Sequence, residues 1–93
     1  MSTIPAQAAT LTNVAGSASS VALFAASGRA RGRAVWNDSA ATLYVKFGAS
    51  ASATSCTVRL DPDDYYEFPQ PVYAGAVEGV WASATGAARV TEW

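Results

Sequence analysis

The side chains able to do chemistry fall into two clusters. Asp61, Asp63, Asp64 and Glu67 place four carboxyl groups close together in the chain. Paired carboxylates are the machinery of glycoside hydrolysis, and oxygen-rich loops bind Ca²⁺. Asp61-Pro62-Asp63-Asp64 lacks both the alternate spacing and the glycine of an EF-hand loop. Pro62 presets the backbone for the second position of a turn, and Asp61 and Asp63 suit its flanks. The spacing predicts a solvated turn, with a subunit-facing acidic patch as the alternative, ahead of a metal site or catalytic acids. The second cluster is Arg29, Arg31 and Arg33, half of the six positive charges. Spacing of two would put all three on one face of a strand. Three arginines can contact phosphates, but no aromatic interleaves them on that face and the net charge is −1. They read instead as charges protecting a sheet edge, or as partners for the acidic turn of a neighbouring subunit. No specific nucleic-acid partner is expected.

Nucleophilic catalysis needs a Ser or Cys beside a base. The chain has no histidine, and its one cysteine, Cys56, alternates in phase with Val58 and Leu60. That phase predicts an inward-facing thiol acting as a small hydrophobe. There is no glycine-rich phosphate loop, no Cys-x-x-Cys and no metal-spaced cluster. The expectation is a protein that is not an enzyme and holds no cofactor or metal. Trp36, Trp81 and Trp93 raise stacking on sugar rings as an alternative. Trp36 and Trp81 lie within strand-like runs, which predicts core packing. Trp93 reads either as a plug for the end of a sheet or as an anchor on a partner.

Short runs of period two must position these groups. Leu43, Val45 and Phe47 alternate with Tyr44 and Lys46; Cys56, Val58 and Leu60 with Thr57 and Arg59; Tyr66 and Phe68 with Tyr65 and Glu67. In 30–37, Ala30, Gly32, Ala34 and Trp36 alternate with the arginines, which predicts Trp36 inward and Arg33 outward. Val77 to Ala82 and Ala88 to Trp93 read as two further strands around a turn in which Gly86 can supply a positive φ. Thr10 to Val14 and Val21 to Ala25 are weaker strands. No window carries a sustained helical stripe. Breakers recur regularly, at Gly28, Asn37-Asp38-Ser39, Gly48 to Ser55, Asp61-Pro62-Asp63, Pro69-Gln70-Pro71, Gly75 and Gly86. The spacing predicts an all-β fold, a small antiparallel β-sandwich or jelly roll of about seven or eight short strands. Gly48 to Ser55, built only of Gly, Ala, Ser, Thr, reads as a mobile loop.

The chain is 93 residues long, enough for one small domain. A disulfide framework is ruled out, since Cys56 has no partner within the chain. Met1 to Gly28 contains no charged side chain, so all thirteen charges lie beyond it. Residues 1–20 therefore read as a neutral N-terminal arm that can include a first strand, and residues 21–93 as the sandwich. A neutral arm can bury area on a neighbour without desolvating charge. Ile4, Pro5 and Leu11 of that arm, with Trp93, join Arg29, Arg31, Arg33, Asp61, Asp63 and Asp64 as candidate inter-subunit contacts. No run is long and apolar enough for a membrane span, and Met1 to Pro5 lacks the pattern of a signal peptide.

From Thr42 onward the chain resembles small β-rich virion structural proteins of tailed bacteriophages. The likeness lies in Leu43-Tyr44-Val45-Lys46-Phe47-Gly48, Thr54-Ser55-Cys56-Thr57-Val58-Arg59-Leu60 and Tyr65-Tyr66-Glu67-Phe68-Pro69. It continues through Tyr73-Ala74-Gly75-Ala76-Val77-Glu78-Gly79-Val80-Trp81 and Gly86-Ala87-Ala88-Arg89-Val90-Thr91-Glu92. Asp61-Pro62-Asp63-Asp64 departs from the pattern, where a glycine-containing turn would be expected. The resemblance implies a virion component made in the host cytoplasm. Its partners would be the major capsid protein or other virion proteins, with homo-oligomeric or lattice contacts. It transfers no catalytic residues. The expected role is a capsid decoration, or cement, protein; the alternative is a tail, neck or appendage component with the character of a carbohydrate-binding module.

Overall fold

The computed structural model describes residues 5–93; Ile4 lies outside the described residues. Eight strands and no helix are found among them: β1 (Thr10–Ala15), β2 (Val21–Phe24), β3 (Arg33–Asp38), β4 (Leu43–Phe47), β5 (Val58–Leu60), β6 (Tyr65–Glu67), β7 (Val77–Trp81) and β8 (Ala87–Glu92). They form two four-stranded antiparallel sheets, ordered β1-β8-β3-β6 and β2-β7-β4-β5. The first half of the chain pairs with the second as one long hairpin, β1 with β8, β2 with β7, β3 with β6, β4 with β5. Winding that hairpin on itself adds the β3–β8 and β4–β7 pairs and closes a jelly roll.

The core lies between the sheets. Val35, Ala88 and Val90 from the first sheet meet Leu23, Leu43, Val45, Val77 and Trp81 from the second, all buried. Leu43 and Val45 face inward as their alternation predicts, and Trp81 is buried as expected. Tyr66 and Phe68 point in while Tyr65 and Glu67 point out. Phe68 organises an aromatic cluster, edge-on to Phe24 and stacked with Phe47, which in turn stacks on Tyr73. Such ring pairs add stabilisation beyond their buried area. Gly86 has φ +61°, as its turn requires, and a Cβ there would come within 2.5 Å of the Asp38 carbonyl oxygen.

Three expectations need correction. The phase of β3 is inverted: Arg33, Val35 and Asn37 are buried, whereas Trp36 is 39 % exposed. Cys56 is only half-buried and precedes β5, because the Thr57 hydroxyl takes the Phe47 N–H and breaks the ladder there. The loop 48–55 is held rather than free: Ser50 N–H donates to Glu78 Oε1 (3.0 Å), Ala51 N–H to Ser20 Oγ (2.9 Å), and Lys46 Nζ to Ser55 Oγ (2.8 Å).

The neutral N-terminal segment is divided. Thr10–Ala15 is an integral strand, in register with β8 over its whole length from Thr10↔Glu92 to Ala15↔Ala87. Residues 16–20 are tied in by Gly16 N–H to Gly86 O, Trp81 N–H to Ser17 O and Ser20 Oγ–H to Glu78 Oε1. Only residues 5–9 of the described arm precede the sandwich.

Candidate functional site

Arg33 is the residue whose role changes most. It lies on the inner face at one end of β3 and is wholly buried. Its Nε donates to Glu92 Oε2 at 2.8 Å, Nη1 to the carbonyls of Tyr73 (2.9 Å) and Gly75 (2.7 Å), and Nη2 to that of Ala25 (2.7 Å). The guanidinium also stands over the Phe24 ring, 4.8 Å from its centre. A buried cation is tolerated because its donors are satisfied. Arg33 is thus an internal bracket joining two loops and β8, not a surface contact. Asn37 does the same at the other end of β3, donating through Nδ2 to the carbonyls of Ala41, Leu60 and Asp61.

Arg29 and Arg31 are exposed and precede β3, so the three arginines form no stripe. Arg31 Nη1 donates to the Pro5 carbonyl at 3.4 Å, which ties the exposed Pro5 to its own chain. Trp93 is engaged internally as well. Its carbonyl accepts from Arg31 N–H (2.6 Å) and Gly32 N–H (3.0 Å), and its N–H donates to Gly32 O (3.0 Å). Its indole lies over Gly32, where a Cβ would collide with the ring. Trp93 therefore caps the β3–β8 ladder, the plug of the two expectations, while staying partly exposed.

The acidic residues form the predicted exposed turn. Asp64 N–H donates to Asp61 O (3.0 Å), and Asp61 N–H to Asp64 Oδ2 (2.9 Å). Asp61 also pairs with the exposed Arg59 at 3.1 Å. Asp63 sits at φ +73°, a left-handed conformation within the turn that Asp tolerates better than most residues. Among the described residues, no group of three or more His, Cys, Asp or Glu is arranged to hold a metal ion.

What the structure gathers is a different surface. Directly opposed residues on neighbouring strands share a sheet face. Two rows therefore cross the outer face of the β1-β8-β3-β6 sheet: Leu11, Thr91, Ala34 and Glu67, then Asn13, Arg89, Trp36 and Tyr65. The exposed large hydrophobics among the described residues are Leu11 (75 %), Trp36 (39 %) and Tyr65 (62 %), and all three lie on this face.

Polar groups hold the two aromatics in place. Trp36 Nε1–H donates to Asp63 Oδ1 at 3.0 Å, so the acidic turn orients the indole. The Tyr65 hydroxyl donates to Glu67 Oε1 at 3.4 Å. Partial desolvation, followed by the Glu67 charge and hydrogen bond, raises the Tyr65 phenol above its usual 10.0. Arg89 pairs with Asp38 at 2.9 Å beside them. The result is an aromatic platform: two exposed rings steadied by carboxylates, with Arg89 of the central strand β8 standing between Trp36 and β1. Of the residues singled out by sequence as charged or contact candidates, Leu11, Asp63 and Glu67 belong to it. Trp36 and Tyr65 were misassigned or overlooked, and only the paired placement of β3 against β6 brings them together.

Comparison of the chain with models of known families, with curated proteins and with solved structures yields no match.

Proposed function

We propose that this protein is a structural component of a tailed-phage virion, a capsid decoration protein that docks on the major capsid protein through the outer face of the β1-β8-β3-β6 sheet. The observation that carries the reading is the gathering of Leu11, Trp36 and Tyr65 on that one face. Trp36 and Tyr65 adjoin, with Leu11 two strands away on the same face. Exposed apolar side chains gathered in this way suit an interaction site, and Trp and Tyr are enriched among the residues that anchor interfaces. The resemblance from Thr42 onward supports a virion role. The jelly roll, an architecture used in viral shells, is consistent with it by analogy only.

The mechanism is mechanical. Each docked copy removes apolar surface from water at about 25 cal/mol per Å², and that energy must be returned when the shell is torn apart. A face of four short strands covers only roughly 400 Å², about half of one partner's share of a standard interface. Each contact is therefore weak, and cementing relies on many copies.

A second reading has a specific observation behind it. Trp36 and Tyr65 are directly opposed across β3 and β6, each with a carboxylate on its polar tip. That combination also suits a sugar ring, as on a tail appendage. Co-sedimentation with intact particles, run beside a glycan array, separates the two. Docking predicts particle binding that Trp36→Ala and Tyr65→Ala abolish without unfolding the chain. Glycan binding lost in the same variants, with no attachment to shells, replaces the first reading by the second.

A further inference from the structure

The first sheet ends on a strand, β1, that no described strand covers. Sheet edges are normally blunted by brevity, charge, proline or a bulge. Three of the four edges here are so treated. β5 and β6 have three residues each, with Arg59 in one and Glu67 in the other. β2 has four residues and a register shift between Ala22 and Phe24. β1 has six residues, Thr-Leu-Thr-Asn-Val-Ala, with no charge, no proline and an unbroken register to β8.

The backbone groups offered at that edge can be identified. Gly16 N–H bonds Gly86 O, so the even residues of β1 face β8. The Gly32–Trp93 pair turns the odd residues of β8 toward β3, which fits the same alternation. Leu11, Asn13 and Ala15 therefore direct their N–H and C=O groups outward, and none of the described strands pairs with them.

We propose that β1 pairs antiparallel with β1 of a second copy, joining two four-stranded sheets into one of eight strands. The two-fold axis stands perpendicular to the sheet beside Asn13. In this register Leu11 lies opposite Ala15 of the other copy, Asn13 opposite Asn13, and Thr12 opposite Val14. Every outward N–H and C=O of Leu11, Asn13 and Ala15 then finds a partner, whereas a shift by two residues leaves those of Ala15 or Leu11 without a strand residue to bond. The opposed Asn13 amides can bond each other, and the Thr–Val pairs place β-branched residues together on the inner face. Pairing consumes both free edges, so it closes as a dimer and does not propagate.

The same axis turns both outer faces to one side. Two platforms of Leu11, Trp36 and Tyr65 then lie side by side, and their joint area of roughly 800 Å² reaches a standard partner's share. This consequence rests on the docking role; the dimer itself does not.

Sedimentation of the full chain over a concentration series, up to about 1 mM, tests the pairing directly. The expected result is a monomer–dimer equilibrium weakened at least about tenfold by Asn13→Pro, which deletes an outward N–H while sparing the bonds to β8. Asn13→Lys, which keeps the backbone intact, should weaken it too, and the melts of both variants report whether the fold survives. In a Cys56→Ser background under mild oxidant, Asn13→Cys should cross-link to itself. Leu11→Cys should cross-link to Ala15→Cys and not to itself. A chain monomeric throughout the series, a dimer indifferent to both Asn13 substitutions, or self-linking at Leu11→Cys without linking at Asn13→Cys overturns the proposal.

Discussion

Arg33 and Glu92 lie directly opposite one another on β3 and β8 and meet at 2.8 Å, the guanidinium wholly buried and the carboxylate partly exposed. With the carbonyls of Ala25, Tyr73 and Gly75, this pair closes one end of the sandwich. Removing one partner of such a pair strands the other's hydrogen-bonding groups. Arg33→Ala is expected to cost about 3–5 kcal/mol, measured by urea denaturation. That approaches the whole stability of so small a domain, on the order of 5 kcal/mol. Arg33→Lys keeps the charge but not the planar fork, so it should recover only part of the loss.

The two strand tryptophans should part company. Trp81 is 2 % exposed and fills the core, so Trp81→Ala should cost about 3–5 kcal/mol. Trp36 is held at the surface, and Trp36→Ala should cost about 1 kcal/mol, the scale of a cross-strand pair. Thermal melts of the two variants check the contrast. Equal losses would mean that Trp36 is a core residue after all.

Glu78 clasps the loop 48–55. The Ser20 hydroxyl first, then the Ser50 N–H and the Lys46 charge, hold its carboxyl below the ordinary 4.5. A carboxyl with a lowered folded-state pKa adds stability at pH values above its unfolded pKa, and that stability is lost as pH falls through the folded value. Melting temperature should therefore drop with acidification below about pH 4.3 more steeply in the native chain than in Glu78→Gln. Parallel curves would show that the clasp contributes nothing.

Tyr65 titrates in the opposite sense. Its phenol is raised, so the neutral form is favoured in the folded protein and its contribution is complete below about pH 10. That contribution fades as pH rises through the higher folded value. Ultraviolet titration of the folded chain should contain one phenol ionising above 10 that disappears in Tyr65→Phe. In Glu67→Gln it should move down but stay above 10, because desolvation, the larger cause, remains.

Alternation alone determined that the chain builds short antiparallel strands, and regular breakers determined how many. β4 and β6 appear where their two-faced runs predict, because each sets large apolar side chains on one face against a face that carries a charge. The acidic turn was legible for a similar local reason: Pro62 and its flanking aspartates act within four residues. The interior of β3 was not. Period two separates its residues into two sets but does not say which set is inside when one holds Arg33 and Asn37 and the other Trp36. That choice belongs to carbonyls far away in the chain, at Ala25, Tyr73 and Gly75 for Arg33 and at Leu60 for Asn37, which make the polar set satisfiable indoors. β1 carried a weak signal because it borders the sandwich and neither of its faces is fully covered, so burial imposes no pattern on it. The platform was invisible for the same non-local reason. Leu11, Trp36 and Tyr65 come to share one face only when β8 pairs with both β1 and β3, and β3 with β6. Side-chain pattern chose the strands; long-range backbone pairing and buried hydrogen bonding chose which way they face.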